Sequence, residues 1–152
     1  MGILLDLKSL LNKIMGCLYI QGTSGNWTYK KYANGILECW YNGYSGTYTC
    51  GTARGNMYAG GWLTYTYPVA FDNLQCVTAS ATLTTDAYTV LAQLSQPLNT
   101  SVKVRITSGS SIAANSYRMH IHAIGTWGGV IESIKRFFAS LCPSQDWGWI
   151  IC

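Results

Sequence analysis

The chain has 152 residues, enough for one domain with a true core and little besides. Hydrophobic residues make up 49% and charged residues 11%, against about 25% charged in an ordinary soluble domain, so association between copies is expected. The net charge of +4 comes from ten Lys and Arg scattered along the chain, without the dense basic stripe that nucleic-acid binding requires.

Cys17, Cys39, Cys50, Cys76, Cys142 and Cys152 form no CxxC pair and no repeat. That spacing argues against a zinc site and suggests no disulfide framework; the cysteines read as small buried hydrophobes. Cys39 and Cys50 flank a predicted hairpin, which would set them opposite each other. No segment is long enough to span a membrane. Asp6, Lys8 and Lys13 interrupt the N-terminal apolar run, so it lacks the continuous core of a signal peptide, and synthesis in the cytoplasm is expected.

Residues 3–18 are helical in period. Ile3, Leu7, Leu10, Ile14 and Cys17 follow an a/d seam, with Leu4, Leu11 and Leu18 beside it. One reading is an amphipathic helix docked on its own domain. The other is the stub of a multi-helix stem, in which Ile at both a and d leans toward three strands or more. Gln21 to Asn26, QGTSGN, reads as a hinge, and divides a stem (1–20) from a head (21–127).

Asn34-Gly35 predicts a tight hairpin joining Trp27–Tyr32 to Ile36–Tyr41. Asn42-Gly43 predicts a second turn into Tyr44–Thr52, and Arg54-Gly55-Asn56 a third into Met57–Tyr67, which Pro68 ends. Phe71–Ser80 and Ala87–Gln93 follow. In Ser101–Trp127, Val102, Val104 and Ile106 alternate with polar residues, as do Tyr117, Met119, Ile121 and Ala123. The Ser/Gly/Asn-rich stretch between predicts a closing hairpin. Eight or nine short strands predict an all-β fold, an antiparallel β-sandwich of jelly-roll or Greek-key type. Beyond it, Val130, Ile131, Ile134, Phe137, Phe138 and Leu141 mark one face of a C-terminal amphipathic helix that Pro143 ends. Residues 128–152 thus form a helix and an apolar tail.

Two stretches, WTYKKYANGILECW (Trp27–Trp40) and VKVRIT…YRMHIHAIGTW (Val102–Trp127), with YPVAF (Tyr67–Phe71) between them, resemble the C-terminal head domain of phage and prophage tail-fibre and tail-tip proteins. The resemblance covers about Gly25 to Trp127. It implies a non-enzymatic, homotrimeric β-sandwich head at the end of a fibre, part of a virion, that attaches the particle to a bacterial surface glycan or protein. Two departures stand out. Such heads end soon after the HAIGTW-like segment, whereas this chain runs on for another twenty-five residues, and its stem is short for a fibre. A second hypothesis is a structural virion protein docked onto a larger assembly through residues 130–152.

The acids Asp6, Glu38, Asp72, Asp86, Glu132 and Asp146 show no pairing in sequence, and no GxSxG, P-loop or HExxH motif occurs. The pattern predicts no enzyme and no resident cofactor. His120 and His122 leave the same strand face, and trimeric fibre tips of the resembled kind hold a metal between such pairs. Three copies would offer six nitrogens to a transition-metal ion. Arg118 on that face opposes this, and plain packing is the simpler reading. The receptor-contact candidates are Tyr44, Tyr48, Arg54, Asn56, Tyr58, Trp62 and Asn115, on or near the predicted loops 43–45, 53–56 and 108–115. Tyr41, Tyr65 and Tyr67 complete the aromatic set, with core and trimer packing as the alternative for all the aromatics.

Overall fold

The computed structural model describes residues 9, 10, 13, 19–83 and 90–128. Ten strands run in order: β1 (Tyr19–Ser24), β2 (Trp27–Tyr32), β3 (Ile36–Cys50), β4 (Thr52–Arg54), β5 (Met57–Ala59), β6 (Leu63–Thr66), β7 (Asn73–Leu83), β8 (Val90–Leu94), β9 (Ser101–Ser108) and β10 (Ile112–Thr126). They form two antiparallel sheets packed as a sandwich. The first has the order β1-β2-β3-β10-β7. In the second, β9 is central, with β8 on one side and β5 and β6 sharing the other, and β4 outside β5.

The expected all-β sandwich is present, but the closing pair is not a hairpin. β9 and β10 lie in different sheets. Each carries an apolar row at period two, and setting the rows face to face buries both. Val102, Val104 and Ile106 from β9 and Tyr117, Met119, Ile121 and Ala123 from β10 join one core cluster. In a hairpin the same rows would lie side by side on one face.

Two further turns differ. β3 runs unbroken through Asn42-Gly43, because β10 pairs with it on both sides of that point: Gly43 opposes Met119 and Tyr44 opposes Arg118. Gly43 is there for close approach, since a Cβ would run into the Asn26 side chain. Gln21–Ser24, read as hinge, is hydrogen-bonded strand β1 against β2. The Asn34-Gly35 signal holds, in a three-residue loop: Gly35 N–H donates to the Tyr32 carbonyl at 3.0 Å and Gly35 takes a positive φ of 88°. The predicted Met57–Tyr67 strand splits into β5 and β6 around Gly60-Gly61.

The cysteine geometry follows from the long β3. Cys39 and Cys50 are both buried and free. They lie on one strand, on the order of 35 Å apart, far beyond disulfide reach. Cys76 is free and exposed.

One end of the core is a chain of edge-to-face aromatics: Tyr65 to Tyr41 at 4.9 Å, Tyr41 to Trp27 at 5.2 Å, Trp27 to Tyr67 at 5.5 Å and Tyr67 to Phe71 at 5.0 Å. This is packing at the preferred ring geometry. At the other end Tyr48 ties the sheets together. Its hydroxyl donates to the Gly61 carbonyl at 2.6 Å and accepts from the Ile106 N–H at 3.0 Å. Gly60 makes room, since a Cβ there would enter the Tyr48 ring.

The predicted stem residues Ile3, Leu7 and Ile14 lie outside the described residues, as does all of the C-terminal helix; Leu10 is exposed and helical in conformation.

Two outcomes are expected. Tyr48→Phe leaves the Ile106 N–H unsatisfied and lowers unfolding stability in urea by about 1–3 kcal/mol; an unchanged midpoint would contradict the bridge. In native-state alkylation followed by peptide mapping, Cys76 is modified while Cys39 and Cys50 are not, and all three react without reductant once unfolded. Burial pushes the Cys39 thiol up to about 12 from its ordinary 9.0, against a smaller opposite pull from Lys31. The stability tied to that shift is therefore fully present below pH 9 and is lost as pH rises toward about 12.

Candidate functional surfaces

Alternation gives each sheet an outward face. On the first sheet, β10 presents Arg118, His120, His122 and Ile124, flanked by Glu38, Trp40, Asn42 and Tyr44 of β3 and by Cys76, Thr78, Ser80 and Thr82 of β7. The two histidines therefore leave one face, as their spacing predicts. His122 stacks on Trp40, ring centroids 5.4 Å apart and planes within 6°. The Arg118 guanidinium lies 4.2 Å over the Tyr44 ring, and Lys30 lies between Tyr19 (4.6 Å) and Trp40 (5.8 Å). Trp40, Asn42, Thr78, Ser80, His120 and His122 line an open depression of about 450 Å³. Two nitrogens on this face, Arg118 Nε and His122 Nε2, are buried with no hydrogen-bond partner among the described residues, a costly condition for polar atoms.

Among the described residues no third His, Cys, Asp or Glu joins His120 and His122. Within the described residues a metal ion at this pair would have the two imidazoles alone.

The second sheet turns a different face outward. Lys103 and Arg105 of β9 alternate with the buried Val102, Val104 and Ile106. Cross-strand neighbours are Gln93 of β8 opposite Arg105 and Thr64 of β6 opposite Lys103. The Arg105 guanidinium lies 4.6 Å over the ring of Trp62, which is 43% exposed, and its Nε donates to Gln93 Oε1 at 2.7 Å. Trp62 was legible as a candidate from sequence; Arg105 and Gln93 were not, because only the β8–β9 register puts them together. The alternation in VKVRIT does mark Arg105 as outward.

The other candidates scatter. Tyr44 is exposed on the first sheet, mid-strand instead of in a loop. Tyr48 is the buried inter-sheet bridge, so it serves the fold. Arg54 and Asn56 are exposed at the β4–β5 turn. Tyr58 is half-buried against the core, and Asn115 is half-buried opposite Tyr48.

The opening stretch and the YRMHIHAIGTW part of the closing one meet in the first sheet. The Trp127 indole Nε1 donates to the Tyr32 carbonyl at 3.1 Å and its backbone N–H to Gly35 at 3.0 Å. The end of the closing motif thus seals the turn of the opening one.

This sandwich is similar to solved tail-fibre structures. One is the C-terminal portion of the R1 pyocin fibre of P. aeruginosa, with a TM-score of 0.53 and 19% identity over 72% of this chain and 28% of that one. Another is the N-truncated R1-type pyocin tail fibre, with a TM-score of 0.52 and 18% identity over 78% of this chain and 94% of that one. No protein-family model and no curated protein sequence matches the chain. The likeness lies in the fold and agrees with the resemblance read from the motifs.

A double-mutant cycle of Arg105→Ala and Trp62→Ala, read by unfolding stability, is expected to give a coupling of about 0.5–1 kcal/mol. A coupling near zero would show that the ring does not hold the guanidinium.

Proposed function

We propose that this chain is the head module of a tail-fibre-like particle, non-enzymatic and homotrimeric, that attaches the particle to a glycan or protein of a bacterial surface. The observation that carries the reading is the likeness of the two-sheet sandwich to R1 pyocin tail-fibre structures, of which it spans 94% of an N-truncated chain and 28% of a longer one. The strand order supports the jelly-roll form of the fold, since β3-β10-β7 opposes β5-β9-β8. In this reading the chain is a component of a virion or tail-like particle.

The outward face of the first sheet is the one that meets other copies. It carries half-buried Trp40, His120 and His122, and two buried nitrogens, Arg118 Nε and His122 Nε2, that lack hydrogen-bond partners among the described residues. A second copy laid on this face would cover the aromatics and supply acceptors. No specific observation favours docking through residues 130–152, which lie outside the described residues.

Light scattering of the full chain is expected to give three times the 16.7 kDa protomer mass. Trp40→Ala combined with Arg118→Ala is expected to shift that mass toward the protomer while the far-ultraviolet β signature stays. A wild-type monomer would contradict the trimer. Fluorescently labelled protein is expected to adsorb to some strain in a panel of Gram-negative and Gram-positive cells, and failure on every strain would contradict attachment.

A further inference from the structure

We propose that the outward face of the second sheet binds an acidic saccharide, its carboxylate or phosphate held by the free edge of Arg105, with Trp62 supplying apolar contact and Lys103 a second cation. This rests on the attachment reading above and names the chemistry of the ligand.

The described residues carry Lys13, Lys30, Lys31, Arg54, Lys103, Arg105 and Arg118 against Glu38 and Asp72 alone. Neither acid lies on the face of Arg105: Glu38 is on the first sheet, where it accepts from the Tyr32 hydroxyl at 3.0 Å, and Asp72 is in the β6–β7 connection beside Gly128. The face is therefore cationic and complementary to an anion.

Orientation comes next. An arginine that merely floats in solvent loses much side-chain entropy when it binds. Arg105 is already held twice, by the Trp62 ring beneath it and by Gln93 at Nε. With Nε occupied, the remaining donors are those of the two terminal nitrogens, in the fork that matches a carboxylate or phosphate.

The third element is the aromatic. Trp62 is 43% exposed just before β6, and indole and tyrosine rings stack on the apolar faces of sugars. Lys103 lies two residues from Arg105 on the same side of β9, about 7 Å along the strand. Thr64 opposite it adds a hydroxyl. An anion-only site needs no exposed indole, and a neutral-sugar site needs no oriented guanidinium. Together they select a sugar that carries an anion.

The test uses the full chain and isothermal titration with four probes: trigalacturonate, mannose 6-phosphate, neutral maltotriose and inorganic phosphate. The expected result is that at least one acidic saccharide binds at least tenfold more tightly than both maltotriose and inorganic phosphate. Trp62→Ala and Arg105→Lys are each expected to weaken it tenfold or more. The lysine variant separates an oriented fork from bare charge. Lys30→Ala, on the opposite sheet, leaves the affinity unchanged. Equal binding of maltotriose would overturn the role of the anion, and equal binding of inorganic phosphate would overturn the saccharide. Arg105→Lys with wild-type affinity, or no binding of any probe, would also overturn the proposal. Cell adsorption separates the two readings. If wild type adsorbs and Arg105→Lys adsorbs equally, this site is wrong while attachment stands. If acidic sugars bind but no cell does, attachment falls and the site stands. A mass change on Trp62→Ala without any sugar binding would identify the face as a contact between copies and overturn the proposal.

Discussion

Strand side chains alternate, and in this chain β9 and β10 turn their apolar sets toward each other from opposite sheets. That opposition is the constraint on which the molecule rests. The core exists because Val102, Val104 and Ile106 meet the region of Tyr117, Met119, Ile121 and Ala123. The functional faces exist because the alternate residues of the same two strands are then forced outward. Lys103 and Arg105 go to one side of the sandwich, and Arg118, His120 and His122 to the other. The Tyr48 hydroxyl adds a polar tie between the sheets, and its two hydrogen bonds fix how β3 sits over β9.

The two outward faces then differ in kind. The first sheet is broad and carries stacked and half-buried rings, a depression and nitrogens left without partners among the described residues. Those features are what the proposed contact between copies rests on. The second has an exposed aromatic with a cation already posed on it. In the proposed head module the first face would meet other copies and the second what lies outside.

Much of the fold was legible in the sequence because period two is a direct signal of a half-buried strand. The strands around Asn34-Gly35 and the alternation of both closing runs could be read without coordinates. What alternation cannot show is which sheet a strand joins. The arch between β9 and β10 therefore reads as a hairpin, since a polar turn between two alternating runs suits either arrangement. Asn42-Gly43 misled for a related reason. Its glycine answers a packing demand from Asn26 across the sheet, and a sequence window holds no record of that neighbour. The same limit governs the candidate residues. Trp62 was visible as an aromatic beside turn residues, but its partners Arg105 and Gln93 lie far along the chain and are joined only by strand register. Tyr48 looked like its neighbour Tyr44, and only the fold separates a buried bridge from an exposed ring.

The division of labour between the faces is the central claim, and hydroxyl-radical footprinting of the full chain, dilute and assembled, with and without adsorbing cells, measures it directly. The account predicts that Trp40 and Tyr44 become protected on assembly, whereas Trp62 stays reactive in the assembly and is protected only when cells are added. Protection of Trp62 on assembly, with Trp40 left reactive, would contradict it.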